Sequence, residues 1–335
     1  MICGTSAMGS DEKMTLTTEK PVKSKPEAQR IPRATRKGPQ HTNAPFWMIS
    51  PAALMMLLVV GLPIGFLIFT SFTNYGQRTL FTGVFEFVGT EQYRTILTDS
   101  AFWWSLVKTV LFTTALVVGS VFIGAGIAHL MTRLPNALRY CVTVVLIMAW
   151  AMPNVAASLV WSWLFQPQYG VLNWLLTQTG LFGDMTSTNW AADPTLAWIC
   201  IWLLVVWSAV PFIALTLYAA ETQVSLDLKE AARLDGASEV TVYRIVILPA
   251  IAPTLLLVTM LSIIWDFNIF NQIWLITEGG PDGATSTLGV FTYRTAFSGN
   301  LQIGTGSAIA VASTLILMAL SALYIRTLVR TGEDL

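Results

Sequence analysis

The sequence has 335 residues, of which 54 % are apolar and only 11 % charged, where a typical globular chain carries roughly 25 % charged residues. Its 19 basic and 19 acidic side chains cancel, so net charge points to neither nucleic acid nor an acidic partner. The charges are also clustered, leaving a run of 40 residues at 38–77 and another of 44 at 140–183 without Asp, Glu, Lys or Arg. Since a membrane-crossing helix takes about 20 consecutive apolar residues, this distribution excludes a soluble enzyme and describes a multi-span integral membrane protein.

In chain order, residues 1–45 come first, with eight Lys and Arg and prolines at 21, 26, 32, 39 and 45. They hold no apolar periodicity and no apolar core of a secretory signal, and are expected to form a disordered, basic cytoplasmic tail. Span one is expected within 46–72, where Gly61 and Gly65 suit close helix packing and Pro63 suits a kink. Span two lies between Lys108 and Arg133, starting as early as Trp103, and span three runs over about 140–165. The segment 166–194 has no Lys or Arg and holds a short interfacial helix around 172–176. Span four is expected at 193–221, span five at 249–277 and span six at 304–325, with a short tail at 331–335. Backbone groups in lipid must be satisfied within their own segment, so the predicted fold is all-α with six transmembrane helices.

Orientation follows from Lys and Arg, which collect on the cytoplasmic side. Fifteen fall on one side: the eight of the tail, then Arg133, Arg139, Lys229, Arg233, Arg244, Arg326 and Arg330. Arg78, Arg94 and Arg294 fall on the other, with Lys108 near that lip. Both termini are therefore expected in the cytoplasm.

The longest cytoplasmic connector, 222–249, reads TQVSLDLKEAARLDGASEVTVYRIVILP. Ser225 is placed to cap a helix over 226–234, with Asp227 in its first turn where the helix dipole favours an acid. Gly236 follows, where the chain needs a residue tolerant of positive φ. Ser238 is placed to cap a second helix over 239–247, and Pro249 leads into span five. Ala231 and Ala232 offer a small-residue surface to another protein.

Glu230-Ala231-Ala232, then Gly236, Val246 and Leu248-Pro249, at these spacings and between spans four and five, resemble the EAA loop of ABC importer membrane subunits. The resemblance covers most of 46–330 and is strongest to the carbohydrate-type permeases, in particular the maltose- and glycerol-phosphate-type subunit. Phe87-Val88-Gly89 with Tyr93, Tyr169-Gly170-Val171-Leu172-Asn173, and Glu278-Gly279-Gly280-Pro281 with Tyr293 and Phe297 fit the same pattern. The family usually has Ile-Pro where this chain has Val224-Ser225. The resemblance implies a type I ABC importer permease fold in the bacterial plasma membrane. It implies that Glu230, Ala231, Ala232, Asp235, Gly236, Leu248 and Pro249 serve docking to a cytoplasmic ATPase. It further implies a second homologous permease, two ATP-binding cassette subunits that use ATP and Mg, an extracytoplasmic solute-binding protein and a sugar. The chain has no G-x-x-x-x-G-K-[ST] of its own, so no cofactor is expected on it and the energy must come from a partner.

Asp266 is the only charged side chain between Ile245 and Thr277, and ionisable groups at such depth face a cavity or a partner. Ser262 and Asp266 are four apart, as are Asn268 and Gln272, and each pair is expected to share a helix face. Trp265, Phe267, Phe270 and Trp274 are interleaved, and polar acceptors beside aromatic faces suit a sugar. By resemblance, Ser262, Asp266 and Ile269 fall on substrate contacts of span five, and Ser208, Ala209 and Phe212 on those of span four; the family residue at Asp266 is commonly Asn. A hydrogen bond from Asp266 to the partner permease is the competing reading. Trp207 and Trp265 are deep enough to line a cavity, whereas Trp47, Trp103, Trp104, Trp161, Trp163, Trp198 and Trp274 sit near span ends. His41 and His129 are unclustered, so no metal site is expected. Two other functions compete: an ion- or proton-coupled secondary transporter using Asp266, which would show inverted repeats, and an intramembrane enzyme, which would need more than one lone acid.

Overall fold

A computed structural model describes residues 44–299 and 301–333. The expected basic tail lies outside them except for its last two residues. The chain divides into two compact units, Met1–Leu54 and Met55–Leu335. The described part of the first is helical and belongs to α1 (Ala44–Met56).

Among the described residues the regular elements are all helices, with one isolated bridge between Thr73 and Phe87. α1 passes through a π turn (Leu57–Gly61) into α2 (Leu62–Thr70). Short helices α3 (Gln77–Thr82) and α4 (Glu91–Thr98) lead to α5 (Ser100–Arg133). α6 (Asn136–Trp150), α7 (Asn154–Leu164) and α8 (Val171–Thr179) follow, then α9 (Pro194–Thr222). The connector holds α10 (Leu226–Leu234) and α11 (Glu239–Val242), and a second π turn (Tyr243–Ile247) opens into α12 (Leu248–Phe267). α13 (Asn271–Thr277), α14 (Leu288–Phe297) and α15 (Ile303–Glu333) complete the chain.

Five helical runs are long and apolar enough to cross a bilayer: Met48–Thr70, Ser100–Arg133, Pro194–Thr222, Glu239–Phe267 and Ile303–Arg326. Where span three was expected, the helix is broken. α6 and α7 meet at 99°, because Pro153 has no N–H to donate and its ring drives the preceding residue out of the helical region. Span five is also shorter than expected, and its end is a second correction. α12 stops at Phe267, and Asn268 Nδ2 donates to Ile264 O at 2.9 Å. That carbonyl is the one the backbone N–H of residue 268 would take in a continuing helix, so the side chain competes with the ladder. Asn268 and Gln272 therefore do not share a helix face; they flank a break.

Each π turn encloses the residue four before a proline: Val59 before Pro63 and Ile245 before Pro249. A proline ring clashes with that carbonyl in an α-helix, and a widened turn relieves the clash without a sharp kink. Gly65 meets nothing within 4 Å on the face a Cβ would occupy, and Gly61 meets only Leu57 one turn earlier, at 3.2 Å, so the pair packs against no other helix among the described residues.

α5 and α9 form the spine of the second unit. Phe112 and Leu116 pack with Ile201, Val205 and Val206. Two glycines let the helices close up: a Cβ on Gly119 would sit 3.0 Å from Trp202 Cε2, and one on Gly124 2.7 Å from Ile213 Cγ2. The Trp202 indole N–H donates to Ala115 O at 3.0 Å, which fixes the register of the pair.

The segment between α7 and α9 is organised by a buried amide. Asn173, in α8, accepts from Trp190 Nε1 at 2.6 Å and donates to Gln166 O at 3.2 Å and Thr188 O at 3.0 Å. Asn173→Ala leaves the buried Trp190 indole N–H without its acceptor, at about 1–3 kcal/mol, and removes the donor to two part-buried carbonyls. Limited proteolysis in membranes is expected to nick the variant within 166–193 much faster than the parent chain; equal nicking rates would show that the hub is dispensable.

Candidate functional site

A cavity of about 370 Å³ lies where the two helix breaks face α9. The break between α6 and α7 contributes Trp150, Met152 and Asn154; α9 contributes Val205, Ser208, Ala209, Phe212 and Ile213. The end of α12, its break and the start of α13 contribute Ser262, Trp265, Asp266, Asn268, Ile269, Phe270, Asn271 and Gln272. All eight residues singled out in the sequence as a substrate pathway (Ser208, Ala209, Phe212, Ser262, Asp266, Asn268, Ile269 and Gln272) line this one space. Trp265 joins them as expected. Trp207 does not, and packs instead near Trp161 at a ring separation of 5.8 Å.

Three aromatic rings form one wall. Trp150 stacks on Phe212 at 6.3 Å, and Phe212 meets Trp265 edge-on at 5.4 Å. Opposed to these flat apolar faces are amides, hydroxyls and one acid. Asp266 is 6 % exposed and its Oδ2 has no hydrogen-bond partner among the described residues. The side chains of Ser262, Asn271 and Gln272 make no hydrogen bond to other described residues. None of the lining residues is Lys, Arg or His. Such a site can take a neutral, hydroxyl-rich molecule by stacking its C–H faces and accepting from its hydroxyls.

Sequence reasoning missed Trp150, Met152 and Asn154, because it treated span three as one straight helix. The signal was present in Met152-Pro153-Asn154, since a proline with capping residues around it marks a boundary.

The connector has the shape its residues dictate. The Asp227 N–H donates to Ser225 Oγ at 3.2 Å, capping α10. At the other end, Gly236 N donates to Arg233 O and Ala237 N to Ala232 O, each at 3.0 Å, with Gly236 at φ +84°. This is a Schellman cap, which requires a left-handed residue at that position. Ser238 then accepts from Thr241 N at 3.3 Å and caps α11. The second connector helix does not end at Ile247, as expected, but runs through the π turn into α12. Glu230, Ala231, Asp235 and Gly236 are exposed and Ala232 half-buried, whereas Leu248 and Pro249 lie beyond the π turn at the root of α12. Leu226, Leu228, Leu234 and Val240 are exposed on the same connector, Leu234 to 89 %.

Ion pairs tie the connector down. Glu239 takes Arg133 Nη2 at 2.9 Å and Arg233 Nε at 2.8 Å, and the second bond holds the Arg233 guanidinium above its ordinary range. Beneath it, His129 Nδ1 and the buried Glu221 Oε2 lie 3.2 Å apart. The sequence reading passed over His129 because its partner lies 92 residues away.

Residues 120–331 match the family of binding-protein-dependent transport system inner membrane components. The chain belongs to that family. This permease is 38 % identical over 291 residues to the diacetylchitobiose uptake system permease of Streptomyces coelicolor, covering 87 % of this chain and 88 % of that one. It is 32 % identical over 286 residues to the sulfoquinovosyl glycerol transport system permease of Agrobacterium fabrum, covering 85 % and 90 %. Its fold matches a chain of a bacterial ABC transporter involved in import of the acidic polysaccharide alginate, with a TM-score of 0.72 at 15 % identity over 86 % of this permease and 95 % of that chain. It is thus an ABC importer permease, a multi-pass protein of the bacterial plasma membrane.

Proposed function

We propose that the chain is one of two homologous permease subunits of an ATP-driven sugar importer, and that the cavity is its half of the passage. The observation that carries this is the composition of the cavity: a Trp–Phe–Trp wall facing unpartnered amides and a buried carboxylate, with no basic group. Two relatives named for carbohydrate-containing cargoes, diacetylchitobiose and sulfoquinovosyl glycerol, support the sugar assignment. The absence of Lys, Arg and His from the lining favours an uncharged sugar over an acidic one, because a bare carboxylate repels an anion at short range.

The connector end faces the cytoplasm in this reading, on the strength of the fifteen Lys and Arg gathered there. Glu230, Ala231, Ala232, Asp235 and Gly236 dock with one of two ATP-binding cassette subunits, which bind ATP and Mg and hydrolyse the nucleotide; the permease performs no chemistry of its own. Leu248 and Pro249 serve at a distance, by setting how the connector joins span five. The exposed Leu226 and Leu234, at the two ends of the docking helix, offer apolar side chains to a groove. At the opposite end, the segment held by Asn173 receives an extracytoplasmic solute-binding protein. The ion-coupled alternative through Asp266 finds no support among the relatives.

Solubilised complexes, isolated through this chain, are expected to contain a second permease and two ATPase subunits, and the cognate binding protein should release a neutral sugar on denaturation. Uptake that follows a proton gradient and persists without ATP would sink the proposal.

A further inference from the structure

We propose that Glu239 is a positioning residue for coupling: with the Glu221–His129 pair beneath it, it locks the connector to α5, so that a push on α10 reaches spans two and four as one body. The inference rests on the docking role given to the connector above, and goes beyond it by naming what carries the force onward.

By chain connection alone, α10 hangs from the end of α9, and a four-residue stretch containing Gly236 separates it from α11. A glycine in such a corner is free to act as a swivel. Here the corner is braced. One carboxylate, in the first turn of α11, takes Arg233 Nε at 2.8 Å and Arg233 Nη2 at 3.3 Å from α10. The same carboxylate takes Arg133 Nη2 at 2.9 Å from the last turn of α5. Three elements therefore meet at Glu239, and the two-pronged contact of Arg233 fixes direction as well as distance.

A second tie lies deeper. Glu221, in the last turn of α9, is 1 % exposed and sits 3.2 Å from His129 Nδ1 of α5. Its backbone oxygen accepts from Lys229 Nζ of α10 at 3.3 Å. The His129 ring lies 4.7 Å from Tyr243, edge-on, at the π turn that starts span five. Glu221 Oε1 has no hydrogen-bond partner among the described residues. A buried acid held this way is a poor source of stability, and an exposed pair such as Arg133–Glu239 contributes little to it either. What these contacts share is geometry: Arg133–Glu239, His129–Glu221 and His129–Tyr243 bridge the connector or its roots to α5, and Arg233–Glu239 and Lys229–Glu221 tie α10 to the same groups.

The test uses the full complex with its ATPase partners, in liposomes. Nitroxide labels replace Leu228 of α10 and Leu130 of α5, both exposed, in a background without Cys3 and Cys141. Pulsed EPR is expected to give one narrow distance, unchanged when ATP and vanadate trap the closed ATPases. Arg133→Ala should raise the population at other distances about two- to fivefold, the scale of one exposed charge pair, and Arg133→Lys should restore most of the narrow peak, which a role in fold stability alone would not predict. A distance that shifts on trapping in the parent chain, or an Arg133→Ala spectrum like the parent's, overturns the clamp. Failure of the docking role shows separately: a label at Leu234 would then remain as mobile with the ATPases bound as without them.

Discussion

Gly236→Val is expected to leave ATP hydrolysis by the assembled complex largely intact while uptake falls about five- to thirtyfold, since holding an L-residue left-handed costs about 1–2 kcal/mol. The physical cause is backbone rather than overlap. Gly236 sits at φ +84°, and a Cβ built on it meets nothing within 4 Å. A β-branched residue there opens the Schellman cap, releases the bonds from Gly236 N and Ala237 N, and frays the end of α10 that carries Ala231 and Ala232. The connector then reaches its groove in a mixture of shapes. Gly236→Asn is the informative control, because Asn tolerates the left-handed region and should keep most of the uptake. Parallel assays of hydrolysis and uptake in liposomes decide the matter; parent-level uptake by the Val variant would remove the connector from the coupling path.

Asp266→Ala is expected to cut uptake about tenfold to a hundredfold, the loss of one hydrogen bond to a charged group, with the complex still assembled. The same variant should unfold no earlier on heating, and later if anything. Asp266 is almost wholly buried and its Oδ2 is unpartnered within the chain, so removing it relieves a desolvation cost rather than breaking a contact. If the carboxylate instead bonds the second permease, the signature reverses: yield of assembled complex falls, while uptake per assembled complex stays level. Asp266→Asn keeps the shape and a hydrogen-bonding group, and should retain intermediate uptake of a neutral sugar.

The parts of this protein that were legible in its sequence are those fixed by local chemistry. Ser225 and Gly236 bracket α10 so closely that its limits, Leu226–Leu234, follow from the two caps. Charge-free runs fixed the number of spans, because the need to satisfy backbone groups in lipid leaves helices as the only option. Six of the eight cavity residues came from resemblance to permeases together with the cost of burying Asp266; Asn268 and Gln272 came from a shared helix face that the break overturns, yet the chain folds all eight around one space. What escaped is long-range or subtractive. Hydropathy sums side chains and is blind to a missing N–H at Pro153, or to Asn268 Nδ2 competing for Ile264 O, so both broken spans read as straight. His129 and Glu221 lie 92 positions apart, and no spacing rule joins them. The two π turns leave no trace in composition beyond the prolines they accommodate.

The packing of α5 on α9 has a mechanical corollary. With Trp202 seated over Gly119 and Ile213 over Gly124, sliding either helix by one turn would drive a ring or a branched chain into a residue bearing its own Cβ. The pair is a girder, with a single register. Pro211 removes one ladder bond within α9, but the helices break off altogether at Ala151–Pro153 and Asn268–Phe270, and both breaks open onto the cavity. The proposed passage would thus be bounded by one stiff wall and two yielding ones, with cargo released by the bending of α6–α7 and α12–α13 away from α9.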